Sequence, residues 1–83
     1  MYYVYVLRSQ RDGKMYIGYT TNLWNRLQEH QNGEVCSTKP RRPFELIFYE
    51  GYKCVEDAKR RERYLKTSRG KSSLRMMLRD SLK

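Results

Sequence analysis

Two tyrosine-bearing segments, Tyr3-Val4-Tyr5 and Tyr16-Ile17-Gly18, are followed along the chain by Arg26, His30 and, much later, Glu62. These residue types cover the needs of phosphate chemistry. A guanidinium grips an oxyanion through charge-assisted hydrogen bonds. A phenol or an imidazole moves a proton, and a carboxylate can hold a divalent cation. Arg26 and His30 have the i,i+4 spacing of one helical turn, which puts both on one side of a helix, beside its apolar stripe. Glu62 is the sharpest anomaly. The positions Val55, Ala58, Glu62 and Leu65 share the inward stripe of a strongly basic helix, where an ionised carboxylate is costly unless paired or bound to metal. A salt bridge to Arg26 is one solution and a bound cation is the other.

The elements that must position these groups follow from periodicity. Tyr2 to Arg8 and Lys14 to Thr20 are rich in aromatic and β-branched residues and flank Asp12-Gly13, which predicts a β-hairpin. With a loop of two or four residues, cross-strand partner numbers sum to an odd value, so Tyr3, Tyr5 and Leu7 share a face with Tyr16 and Gly18. Gly18 would leave room there for a backbone or a phosphate. Thr21 or Asn22 caps a helix that runs to about Gln31 and ends at Asn32-Gly33, with Leu23, Trp24 and Leu27 as its stripe. Glu34 to Pro43 reads as a loop held extended by Pro40 and Pro43, offering Lys39, Arg41 and Arg42 to phosphate. Phe44 to Tyr52 reads as a third strand, alternating Phe44, Leu46 and Phe48 against Glu45, Ile47 and Tyr49.

A second helix extends from Val55 to about Lys66, with Glu56 and Asp57 at its positive end. It carries Lys59, Arg60, Arg61, Arg63 and Lys66 as a phosphate-facing surface. Ser68 or Ser72 caps a last helix with a seam of Leu74, Met77, Leu78 and Leu82, its start weakened by Gly70. The expected fold class is α+β, a small sheet flanked by helices, with residues 1–83 as one domain.

A net charge of +9 with 39% hydrophobic residues is too cationic for a neutral globule and too apolar for a disordered tail. A polyanionic partner follows, and nucleic acid, above all DNA, fits best because neutralising phosphates releases counterions. Cys36 and Cys54 and the single histidine exclude a disulfide framework and a zinc site. No apolar run reaches membrane-spanning length, so the expected location is the cytoplasm. A monomer or weak homodimer is expected. Strand tyrosines ordinarily pack their rings, yet Tyr2, Tyr3 or Tyr19 could also stack on unpaired bases without any catalysis.

Tyr3-Val4-Tyr5, the interval to Tyr16-Ile17-Gly18, Arg26 with His30, and Glu62 within Ala58-Lys59-Arg60-Arg61-Glu62 together resemble the GIY-YIG nuclease family. The chain is most similar to its small single-domain bacterial members, which also show Arg42-Pro43-Phe44-Glu45-Leu46 entering a strand and Leu65-Lys66 after the glutamate. The resemblance implies a ββαβα core with a three-stranded antiparallel sheet, here with an added C-terminal helix. It also implies a Mg2+-dependent (or Mn2+-dependent) phosphodiesterase acting on DNA, with DNA repair or recombination as its setting. Tyr5 matches the tyrosine ending the first motif, Tyr16 the one opening the second, Gly18 its glycine, Arg26 the helix arginine and Glu62 the metal ligand. His30 stands where the family places His or Tyr. Tyr3 replaces the first glycine, Tyr19 follows Gly18 where some larger members carry a cation, and Leu74 lies near the place of their late asparagine.

On this reading one carboxylate suffices for Mg2+, which keeps most of its waters. Arg26 holds the scissile phosphate, and a phenol, Tyr5 slightly ahead of Tyr16, is the general base, with His30 able to accept or relay its proton. A non-catalytic nucleic-acid-binding module on the same scaffold and a structural component of a ribonucleoprotein are the alternatives.

Overall fold

The computed structural model describes residues 1–83. Strands β1 (Tyr2–Ser9) and β2 (Met15–Thr20) form the hairpin, followed by helix α1 (Leu23–Gln31), a short 3₁₀ turn (Lys39–Arg41), strand β3 (Phe44–Tyr52) and helices α2 (Val55–Leu65) and α3 (Ser68–Met77). The sheet is antiparallel in the order β2-β1-β3. Its hairpin loop closes through the Ser9 amide on the Lys14 carbonyl at 2.9 Å, with Gly13 at φ +73° supplying the left-handed position that a side chain disfavours. The register has Tyr3, Tyr5 and Leu7 opposite Thr20, Gly18 and Tyr16, the odd-sum pairing expected of a four-residue loop.

Each sheet face has its own core. One holds Tyr5, Leu7, Leu23 and Phe44, with Tyr3, Tyr16, Leu27 and Leu46 packed against it, and α1 covers it. The other holds Val4, Val6, Ile17, Ala58, Leu65, Leu74 and Leu78 under α2 and α3. Burying a leucine such as Leu65 or Leu74 completely contributes roughly 1.5–3 kcal/mol.

The alternation predicted for β3 fails at one point. Val6 pairs with Phe48 but Leu7 with Leu46, so Ile47 is the extra residue of a bulge. Phe44 and Leu46 therefore pack on the α1 face, whereas Ile47 and Phe48 both pack on the α2 face. Tyr49 returns to the α1 face, edge-on to Tyr3 at 6.2 Å.

Asn22, the second of the two predicted caps, accepts from the Asn25 amide at 3.1 Å. Trp24 does not join the α1 stripe: it is 71% exposed, and His30 takes the buried position instead. The segment between α1 and β3 is not extended, because Pro40 sits in the first turn of the 3₁₀ helix, where its fixed φ and missing N–H are tolerated. The last helix is capped by Thr67, not by Ser68 or Ser72, through a 3.1 Å bond from the Gly70 amide. Gly70 belongs there for contact: a Cβ would run into the Tyr64 carbonyl, so its absence lets α3 start tight against the end of α2. Met77 is 48% exposed and lies off the seam that Leu74 and Leu78 make.

Candidate active site

The hairpin register puts Tyr5 directly opposite Gly18, and this pairing builds the centre of the site. A Cβ at position 18 would overlap the end of the Tyr5 ring. The space expected at Gly18 for a phosphate is thus filled by the Tyr5 phenol, which lies across β2. From there its hydroxyl meets His30 Nε2 at 2.8 Å. His30 reaches the sheet because α1 lies over this face with Leu23 buried one end along and His30 at its last turn.

His30 is fully buried, although a helix histidine is more usually found near the surface. Its Nδ1 meets Thr38 Oγ1 at 2.8 Å, and Thr38, equally buried, donates to the Val35 carbonyl at 3.3 Å. A consistent proton order runs through the chain: Tyr5 O–H donates to Nε2, Nδ1–H donates to Thr38, and the Thr38 hydroxyl donates to Val35. Every buried side-chain polar atom is satisfied. The imidazole also packs edge-on against Tyr5, Tyr16 and Phe44, with ring centroids 5.7, 5.1 and 5.9 Å away.

The electrostatics follow from burial. Desolvation pushes the His30 imidazole down to about 4, helped by the Arg26 charge and opposed by Glu29, so it is neutral at pH 7. Burial pushes the Tyr5 phenol up to about 12, with the Arg26 guanidinium beside the hydroxyl pulling the other way. Arg26 is itself held charged, first by the Tyr5 hydroxyl and then by Glu29. It donates to Glu29 at 3.0 Å, and both side chains are about a third exposed, so the guanidinium is open on one side.

Glu62 is not in the core and its partner is not Arg26. Its side chain is 21% exposed at the rim of α2 and is paired with Lys66 at 3.0 Å, one turn on. The reason is helix phase. Ala58 and Leu65 point straight at the sheet, while Glu62 falls on the same flank as Lys59, whose ammonium lies 5.5 Å from the Tyr19 ring of β2. Arg61, on the opposite flank, pairs with Glu50 of β3. Although α2 as a whole covers the other sheet face, its β2 flank brings Glu62 close enough for its charge to raise the Tyr5 pKa.

Tyr5, Tyr16, Arg26 and His30 thus converge on the α1 face, whereas Glu62, on α2, makes no hydrogen bond to any of them and acts on Tyr5 through its charge alone. The remaining basic residues do not join them as a group. Arg41 is bound to Asp12 at 3.2 Å and lies over the Phe44 ring. Arg42 folds back onto the Lys39 and Gln31 carbonyls, so both serve the loop before they serve a ligand. Arg60 pairs with Asp57, and Lys66 with Glu62. Lys39 and Arg63 are exposed and make no ion pair. Sequence reasoning missed Thr38 and Glu29. A threonine in a polar loop carries no sign of its buried contact, but Glu29, three residues after Arg26, has the spacing of a helix ion pair.

The profile of the GIY-YIG catalytic domain matches residues 1–75. The chain is 36% identical over 77 residues to a UPF0213 protein of Staphylococcus haemolyticus, covering 92% of this chain and 93% of the relative. It is 34% identical over 86 aligned positions to one of Clostridium perfringens, covering 100% and 89%. The solution NMR structure of a UPF0213 protein from Bacillus halodurans matches with a TM-score of 0.59 at 34% identity, over 93% of this chain and 85% of that one. With its β2-β1-β3 sheet and the Tyr5–Gly18 pairing at its centre, the chain belongs to the GIY-YIG family, among the small UPF0213 proteins, and carries that family's nuclease-type domain.

Proposed function

We propose that the protein is a metal-dependent endonuclease that hydrolyses phosphodiester bonds in DNA. The observation that carries this reading is the convergence of a half-open guanidinium, Arg26, and a hydrogen-bonded Tyr5–His30 pair with Glu62 in electrostatic range, in a chain of net charge +9.

Glu62 fits a hard divalent cation. Its carboxylate is reachable, and Lys66, 52% exposed on a flexible stem, can give way. No group of three or more His, Cys, Asp or Glu converges anywhere, so the ion would take one protein carboxylate and complete its shell with water and substrate oxygens. Mg2+ or Mn2+ accepts that arrangement and structural zinc does not. When bound, the ion would neutralise charge on the phosphoryl oxygens and make its water more acidic.

The chain's own groups divide the remaining work. Arg26 exchanges Glu29 for the scissile phosphate. Tyr5, with its pKa near 12, stays protonated and anchors His30 instead of abstracting a proton. Tyr16 is half-buried, packs on the same imidazole and is more accessible, which favours it as the base that orients or deprotonates the attacking water. Lys59 and Arg63 on α2, with Arg60, Lys66 and the loop cations Lys39, Arg41 and Arg42, steer the polyanion without reading base edges.

The test is nicking of supercoiled and branched DNA by purified protein with Mg2+ or Mn2+. Glu62→Gln and Arg26→Ala are each expected to lower the rate by about 100-fold or more with the circular dichroism spectrum unchanged. Full activity in both variants refutes the assignment. One observation favours a second reading, a binding module without cleavage: the Tyr5 phenol is far from ionising. That reading predicts salt-sensitive binding with no nicking under any metal.

A further inference from the structure

At the end of the sheet formed by the hairpin turn lies a cleft of about 470 Å3 between the hairpin, the 3₁₀ turn and α3. Five cations from distant parts of the sequence line it: Arg8 and Lys14 of the hairpin, Arg41 of the 3₁₀ turn, and Lys71 and Arg75 one turn apart on α3. Met15 and Leu82 add apolar lining. The fold, not a charged run of sequence, gathers them.

Four of the five have no carboxylate partner, as is true of Lys39, Arg63 and several other cations outside the cleft; what distinguishes the cleft is that unpaired charges from separate elements are gathered in one place. Arg26, Arg60, Arg61, Lys66 and Lys83 each have a carboxylate within ion-pair distance. Within the cleft only Arg41 does, through Asp12. Glu45 faces Arg8 in the β1–β3 register but makes no ion pair with it. Like charges held together by separate elements raise the local potential, and an anion relieves it.

We propose that this cleft is a second nucleic-acid contact, taking the sugar-phosphate backbone of a segment flanking the one presented to Arg26 and Tyr16. The donors are long side chains spread from the hairpin to α3. No backbone amide cradle is needed, which suits successive singly charged phosphates better than one compact polyphosphate. The inference deepens the nuclease reading, on which it rests, by giving the substrate a second point of attachment lined by none of Tyr5, Tyr16, Arg26 or His30.

The experiment is anisotropy of a labelled single-stranded oligonucleotide titrated in the presence of chelator, so that binding is read without turnover. Loss of the nuclease assignment therefore leaves this result standing, and the converse holds. Lys71→Gln/Arg75→Gln is expected to weaken binding roughly 25-fold at about 0.1 M salt and to lower the salt slope by about 1.4, the value for two phosphate contacts on single strands. Lys53→Gln/Arg69→Gln removes the same charge from exposed positions outside the cleft lining and is expected to cost less than about 3-fold, since only the diffuse field changes. Equal losses in the two doubles overturn the proposal, as does an unchanged slope in the first. Inorganic tripolyphosphate separates the two sources of phosphate. If it saturates the Lys71 and Arg75 NMR shifts at micromolar concentration and the oligonucleotide cannot displace it, the cleft serves a free polyphosphate and the proposal fails.

Discussion

Acid should unfold this protein through His30 before its carboxylates finish titrating. The imidazole is the only one in the chain, has no exposed surface, and is pushed to about 4 by burial and by Arg26. In the unfolded chain it titrates near 6.5. A folded pKa below the unfolded one means that the unfolded state binds the extra proton. The stability from neutral His30 is fully present above pH 6.5 and is lost as pH falls through 6.5 toward 4. Linkage gives a loss of about 2 kcal/mol by pH 5 and about 3 kcal/mol by pH 4, relative to pH 7. For a domain this small that is a large share of a total of order 5–10 kcal/mol. Urea unfolding at pH 7 and pH 5, followed by far-ultraviolet circular dichroism, measures the loss. In His30→Gln the imidazole contribution vanishes while carboxylates such as Asp12, held low by the Lys14 amide, titrate as before. The difference between the two proteins' pH dependences isolates His30, whatever the variant costs at pH 7. The ring C–H resonances of the one imidazole give a direct check, with a midpoint near 4. A midpoint near 6.5 in the folded protein, or equal losses in wild type and His30→Gln, would falsify the account of the buried Tyr5–His30–Thr38 chain.

Gly18→Ala places a methyl in the volume of the Tyr5 ring and is expected to cost about 1–3 kcal/mol. Combining it with Tyr5→Leu, which vacates that volume, should cost clearly less than the sum of the singles by denaturant midpoints; strict additivity would show that the two residues do not compete for space. Thr38→Val removes the partner of His30 Nδ1 and should lower stability by about 1–3 kcal/mol, with the histidine resonance moved; a neutral result would mean that the loop bond is not formed in solution. Tyr16→Phe is expected to depress nicking by about 100-fold or more with little change in DNA affinity, whereas Tyr5→Phe should cost stability as well as rate. The opposite pattern, with Tyr16→Phe fully active, returns the base to Tyr5.

What the sequence displayed was mostly what local rules decide. The Asp12-Gly13 turn, the odd-sum register and the Asn22 cap depend on a few adjacent residues, and all three are present. The convergence of Tyr5, Tyr16, Arg26 and His30 follows from that register plus one helical turn. What was hidden depends on partners distant in sequence. The bulge at Ile47 shifts half of β3 to the other face without altering its apolar composition. Trp24 looks like a core residue by type, but α1 fills its inward face with Leu23, Leu27 and His30 and leaves the indole outside. Periodicity places Glu62 on the inward stripe, but only Ala58 and Leu65 fit the closest line of contact and position 62 falls beside it. Thr67 displaces Ser68 and Ser72 as a cap because Gly70 is needed against the Tyr64 carbonyl, which fixes where α3 begins.

The two tyrosine motifs are better understood as one packing device than as two sets of catalytic groups. Tyr5 and Gly18 are register partners, and the missing side chain of one is the room for the ring of the other. Only with that room can a phenol lying flat across β2 deliver its hydroxyl to an imidazole on α1. The same arrangement makes Tyr5 a poor base, since the burial that fixes the ring also holds its proton. Under the proposed assignment, position and reactivity are divided between the tyrosines: Tyr5 fixes α1, and with it Arg26, against the sheet, leaving Tyr16 at the open edge of the same cluster. A site assembled this way would need its glycine for geometry and not for substrate entry. Its sensitivity to substitution at Gly18 should therefore appear in folding and in the His30 titration even when no nucleic acid is present.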